Sequence, residues 1–123
     1  MTVQGRCDNA AVSSYYDLGA ANERVGELRP LLAGLRDDRD AVAAARSAPD
    51  ELAAIVRRME AAVRQIDAWN ITLRDIGTGL VDFPALANGR PIWLCWRLGE
   101  EDIAWWHELD SGIAGRRPLI ELV

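Results

Sequence analysis

Apolar residues recur along the chain with two different periods, and the change from one to the other divides it. Leu18, Ala21, Val25, Leu28, Leu32, Leu35 and Val42 follow steps of three and four residues, the stripe of an α-helix. Asp17 is a suitable N-cap, and Arg39 stands where the stripe should continue. Pro30 lies inside the pattern. A proline clashes with the carbonyl four residues back, here that of Gly26, so the spacing predicts a kinked helix over about 18–46, with a break at Pro30 as the alternative.

Ser47 to Asp50 forms a short connection in which Pro49 can open a second helix. Leu52, Val56, Met59, Val63, Ile66, Asn70 and Leu73 then step alternately by four and three, with Ile55 and Ala62 widening the stripe. Two long helices on a short loop predict an antiparallel hairpin over about 18–75. Asn70 occupies a stripe position, which predicts a buried amide that bonds to backbone where helix meets sheet or else touches a polar site.

After Asp75 the period shortens. Gly77 and Gly79 are expected to end the helix, and Leu80 to Phe83 to form a short strand closed by Pro84. Asn88-Gly89 signals a tight turn, Pro91 to Leu98 a strand, Gly99 to Asp102 a turn and Ile103 to Leu109 a return strand. The tail carries Gly112, Gly115 and Arg116-Arg117-Pro118, with Leu119 to Val123 apolar enough for a further short strand. The expected fold class is α+β: a long antiparallel helical hairpin packed against a three-stranded antiparallel β-meander over about 79–123. Residues 1–14 read as a loose leader and 15–123 as one domain.

Composition narrows the function without naming it. The chain has 123 residues, half of them apolar, and a net charge of −5 with all fourteen cations arginine. That balance argues against nucleic-acid binding. No window reaches the roughly 18 apolar residues of a membrane span, and the start lacks a signal-peptide core, so a cytoplasmic protein with reduced thiols is expected. Cys7 and Cys95 are too few and too far apart for a disulfide framework or a metal knuckle.

The chemistry concentrates between Gly79 and Pro118, which holds four of the five tryptophans and the only histidine. Strand side chains alternate faces, so the hairpin register decides which of them meet. An even-length turn puts Leu94 near His107 and Trp96 near Trp105, with Cys95 on the opposite face. An odd turn puts Cys95 and His107 together, as a thiolate–imidazole pair or as two metal ligands completed by Asp82 or Glu108. Common hairpin lengths and the apolar match of Ile92, Leu94 and Trp96 with Trp105 and Leu109 favour the even turn. That reading makes Cys95 a small buried hydrophobe and predicts no metal site. It leaves His107 a buried imidazole that needs a partner such as Asp82 or Asn70.

The even register also gives each face of the hairpin two tryptophans, with Trp93 and Trp106 on the face away from the helices. A large apolar patch needs cover, and a homodimer built on Trp93 and Trp106 is the expected cover, with the tail or a ligand as alternatives. Glu100, Glu101 and Asp102 read as a solvated turn. Arg90, Arg97, Arg116 and Arg117 are expected to pair with Asp82, Glu108 and Asp110 rather than to form an anion-binding rim.

The runs LRDIGTGLVDFPA, GRPIWLCWRLGEEDIAWWHE and GIAGRRPL, with YYDLGAAN at Tyr15 and LRPLL at Leu28, resemble a bacterial family, domain of unknown function 2203. The resemblance spans about Tyr15 to Leu119. It implies no activity, catalytic residue, cofactor or substrate. Two readings follow. The first is a non-catalytic interaction module that self-associates through its tryptophan-rich sheet face. The second is a small enzyme or metal- or ligand-binding protein with a site where helix two meets the sheet. There His107 and Glu108 would act as base or ligands, Asp82 would orient, Arg97 and Arg116 would clamp an anion, and Asn70 and Glu100 would complete the site.

Overall fold

The computed structural model describes residues 3–4 and 15–122. In chain order the elements are β1 (Val3–Gln4), α1 (Leu18–Ala44), α2 (Pro49–Ala68), β2 (Thr72–Asp75), β3 (Leu80–Ala87), β4 (Arg90–Arg97), β5 (Trp105–His107) and β6 (Arg117–Pro118). Single 3-10 turns occupy Ile113–Gly115 and Leu119–Leu122. The class is α+β, as expected, but the described residues form a sheet of six strands rather than three, in the order β1-β3-β4-β5-β6 with β2 also paired to β3. Of the expected leader, residues 3 and 4 pair with the end of β3; its remainder, with Cys7, lies outside the described residues.

The Asp17 carboxylate caps α1 by accepting the Ala20 N–H at 2.7 Å. The helix passes through Pro30 without a break. Its stripe is buried at Ala21, Val25, Leu28, Leu32 and Leu35 and stops there, with Arg39 exposed. Pro49 opens α2, where its missing N–H costs no hydrogen bond.

The second helix ends seven residues short of the expected Asp75, and the cause is Asn70. That residue adopts φ 60, the left-handed conformation that asparagine tolerates better than other non-glycine residues. The Asn70 N–H donates to Asp67 O at 2.9 Å and the Ile71 N–H to Ile66 O at 3.2 Å, the paired bonds of a Schellman stop. Ile66 and Ile71 are both buried in the core, the apolar contact that accompanies such a stop. Asn70 is therefore exposed at a helix end, not buried in a stripe, and Gly77 and Gly79 belong to the β2–β3 connection. On α2 only Ile55 and Ile66 are buried, while Val56 is exposed.

β3 does not close at Pro84 but runs through it to Ala87. The Tyr16 N–H donates to Pro84 O at 2.8 Å, so the polar edge of Pro84 faces away from β4 and its missing donor removes no bond to that strand. Asn88 and Gly89, at φ 55 and 80, then form a two-residue turn with both φ values positive, and Ala87 pairs with Arg90.

Alternation along β3, β4 and β5 gives the sheet two unlike faces. Val81, Phe83, Ala85, Ile92, Leu94, Trp96 and Trp106 form the core with the α1 stripe. Leu80, Asp82, Trp93, Cys95, Trp105 and His107 share the other face.

Candidate metal centre

The pairing of β4 with β5 sets the site. Trp93 lies opposite His107, Leu94 opposite Trp106 and Cys95 opposite Trp105. This is the odd register, so the expected separation of Cys95 from His107 is overturned. The connection from Leu98 to Ala104 is no tight hairpin. It is fastened over the core by Trp96 Nε1 donating to Glu101 O at 2.9 Å, Arg29 Nη2 donating to the same carbonyl at 2.9 Å, and the Ile103 N–H donating to Asn22 Oδ1 at 2.8 Å. Burial of the Trp96 indole demanded an acceptor, and the loop that supplies it fixes the register.

Asp82 from β3, Cys95 from β4 and His107 from β5 thereby meet on one face. Their donor atoms all lie within 4.8 Å of one another, and all three residues are buried. The carbonyl of Glu108 lies 2.8 Å from His107 Nδ1. A carbonyl can only accept, so Nδ1 carries the ring proton and Nε2 is left to face Asp82 Oδ2 at 3.0 Å. Two lone pairs at that distance repel. The contact is attractive only with a proton on one of the two atoms or a metal cation between them. An Nδ1–H held by a backbone carbonyl is also the usual outer bond of a metal-ligating histidine.

Asp82 reinforces the point. Its Oδ2 accepts from Arg74 Nε at 2.8 Å as well, whereas Oδ1 is buried with no hydrogen-bond partner. Burial, and next to it the Asp82 carboxylate, push the Cys95 thiol up to about 12 against the opposing pull of Arg116. Without a cation Cys95 is a thiol and a poor nucleophile; a coordinated metal would make it a thiolate. The trio forms the floor of a cavity of about 270 Å³, walled by Arg74 and Leu80 and rimmed by the segment from Leu109 to Gly112.

The remaining candidates fall elsewhere. Glu108 supplies its backbone carbonyl to His107, but its carboxylate pairs with Arg90 at 2.9 Å. Glu100 is not a solvated turn residue. It accepts from Arg116 Nη1 and Nη2 at 2.9 and 2.7 Å and from the Arg97 N–H at 2.9 Å. Burial pushes the Glu100 carboxyl up, but these hydrogen bonds and the charges of Arg116 and Arg97 outweigh it and hold it below its ordinary value. Arg97 is exposed. Arg116 stacks over Trp105 and faces Cys95. Asn70 lines a separate cavity beside Trp93. The four arginines do pair, Arg90 with Glu108 as expected, but the others with Glu100 and Glu121 rather than with Asp82 or Asp110; Asp82 pairs with Arg74.

Trp93 and Trp106 do not share a face. Trp106 is buried with Trp96 in the core, and the second face carries Trp93 with Trp105. Arg74 covers the first ring and Arg116 the second, at 5.0 and 5.1 Å from their centroids. The open tryptophan patch that motivated a homodimer is thus covered from within the chain.

Arg74 was not among the expected site residues. Reading the second helix to Asp75 placed it on a helix surface, whereas in β2 it alternates with Leu73 and reaches the face of Asp82. The available signal was Asn70 read as a helix stop.

No helix among the described residues is long and apolar enough to cross a membrane. No curated protein and no solved structure matches the chain. The family model described as uncharacterized conserved protein (DUF2203) matches residues 13–119, and the chain belongs to that family.

Proposed function

We propose that this protein binds one divalent cation of the zinc type through Asp82, Cys95 and His107, with the fourth coordination position open to the cavity. The observation that carries the reading is the convergence of three buried donor atoms within 4.8 Å, with His107 Nδ1 held by a carbonyl and its Nε2 turned to a carboxylate oxygen at 3.0 Å. A cation at that point satisfies Nε2 and the Asp82 carboxylate and converts Cys95 to its ligating form. Donors of a tetrahedral zinc site stand about 3.3–3.5 Å apart, so closing the trio on a metal needs only small side-chain movements. A thiolate, an imidazole and a carboxylate favour zinc over magnesium or calcium, which take oxygen donors. Three protein ligands with a free position at a cavity are the pattern of catalytic rather than structural sites.

The test is titration of metal-free protein with cobalt(II), followed by visible and near-ultraviolet absorption. One equivalent is expected to saturate intense tetrahedral bands, with a sulfur-to-cobalt charge-transfer band that Cys95→Ser abolishes. Weak octahedral bands of unliganded cobalt throughout the titration would refute the reading. Self-association, the other reading, no longer has an open tryptophan face behind it.

A further inference from the structure

We infer that the open position of this site is shaped for a small oxyanion of carboxylate or phosphate type, anchored by Arg74. The inference rests on the metal reading above and goes on to the chemistry of what the metal would meet.

The geometry begins with Arg74. Its Nε donates to Asp82 Oδ2 at 2.8 Å, and its two Nη groups have no protein partner among the described residues. Its guanidinium carbon lies over the Trp93 ring, 5.0 Å from the centroid, a cation–π contact that helps hold the side chain in place. It forms one wall of the cavity whose floor is the metal trio. A planar fork with free donors, held by an aromatic face, matches two oxygens of a carboxylate or phosphate. A further oxygen of the same anion can then reach the open coordination position.

Charge points the same way. A divalent cation is neutralised by the Cys95 thiolate and the Asp82 carboxylate. Once Asp82 serves the metal, the charge on Arg74 is left in excess. Arg97 and Arg116, also on this face, already have a counterion in Glu100, at 3.9 and 2.7 Å. Among the described residues at the rim, Asp110 is the one opposing charge, and it is exposed, so water screens it. The size is also restrictive: about 270 Å³ lies at the lower edge of ligand pockets, which run from about 300 to 1,000 Å³.

The experiment uses the full chain loaded with one equivalent of cobalt(II) and titrated with inorganic phosphate, acetate or chloride. Phosphate or acetate is expected to shift the visible bands saturably, and whichever binds more tightly identifies the class. Arg74→Gln is expected to keep its cobalt and to bind that anion at least tenfold more weakly. Chloride, which cannot bridge fork and metal, is expected to show no difference between the two proteins. Equal oxyanion affinity in wild type and Arg74→Gln, or no response to either oxyanion, overturns the inference while leaving the metal site standing. Failure of the wild type to take up cobalt removes the metal site and the inference together. Should Arg74→Gln also release cobalt, Arg74→Lys keeps a cation beside Asp82 without the fork, and unchanged oxyanion affinity there overturns the inference.

Discussion

His107 is held by two bonds of opposite meaning, one fixing its tautomer and one presenting a nitrogen to Asp82. Removing the ring in His107→Ala takes from the buried Asp82 carboxylate one of its two close polar partners among the described residues and leaves Arg74. Loss of one partner of a buried polar group costs about 1–3 kcal/mol, and urea unfolding with a chelator present should show a loss in that range. A second residue-scale prediction concerns Glu100. Its carboxyl is held below its ordinary value in the folded chain, so it contributes stability above the unfolded glutamate value of about 4.3. That contribution disappears as pH falls through the lower, folded value. Glu100→Gln should therefore be less stable than wild type at neutral pH, and the gap should close below about pH 4.3. Unfolding midpoints measured between neutral and acid pH check this; a gap that widens in acid would contradict it.

At the scale of elements, the end of α2 is the most consequential local event, because it decides that Arg74 lies in a strand beside Asp82. Asn70 at φ 60 makes that end. Asn70→Gly should be more stable than Asn70→Ala by about 1 kcal/mol in thermal or chemical unfolding, because both remove the side chain and only glycine takes the left-handed backbone without strain. Equal behaviour of the two would mean that the left-handed stop does not govern the helix end. The same residue shows where sequence reasoning succeeds and fails. The α1 stripe, the Asp17 cap, Pro49 and the Asn88-Gly89 turn rest on local chemistry and were legible. Asn70 and Leu73 fit the helical period equally well, and period alone could not reveal a backbone stop. The β4–β5 register was illegible for a different reason. It depends on a loop fastened to Asn22 and Arg29 of α1, contacts between residues far apart in the chain. Turn-length preference therefore pointed to the wrong register and set Cys95 aside.

In the whole molecule the sheet packs one face on the α1 stripe and turns the other, with Asp82, Cys95 and His107, to the cavity. Trp106 belongs to the core, at 2 % exposure. Trp106→Arg should therefore abolish folding, as read by loss of near-ultraviolet circular dichroism and of a cooperative thermal transition. Retained folding would contradict the face assignment. The two-layer class was legible from the change of period alone. The meeting of Asp82, Cys95 and His107 required three strands in register and was not. Because metal would bind the folded chain only, zinc at one hundred times its dissociation constant should add about 2.7 kcal/mol of stability, and Cys95→Ser should lose most of that gain. The most direct measurement is anomalous X-ray diffraction at the zinc edge, from crystals of the full chain grown with one equivalent of zinc. The account predicts a single strong peak bounded by Asp82 Oδ, Cys95 Sγ and His107 Nε2, at about 2.0–2.3 Å from each. A map without a peak there, or with zinc held only by surface carboxylates, would contradict it.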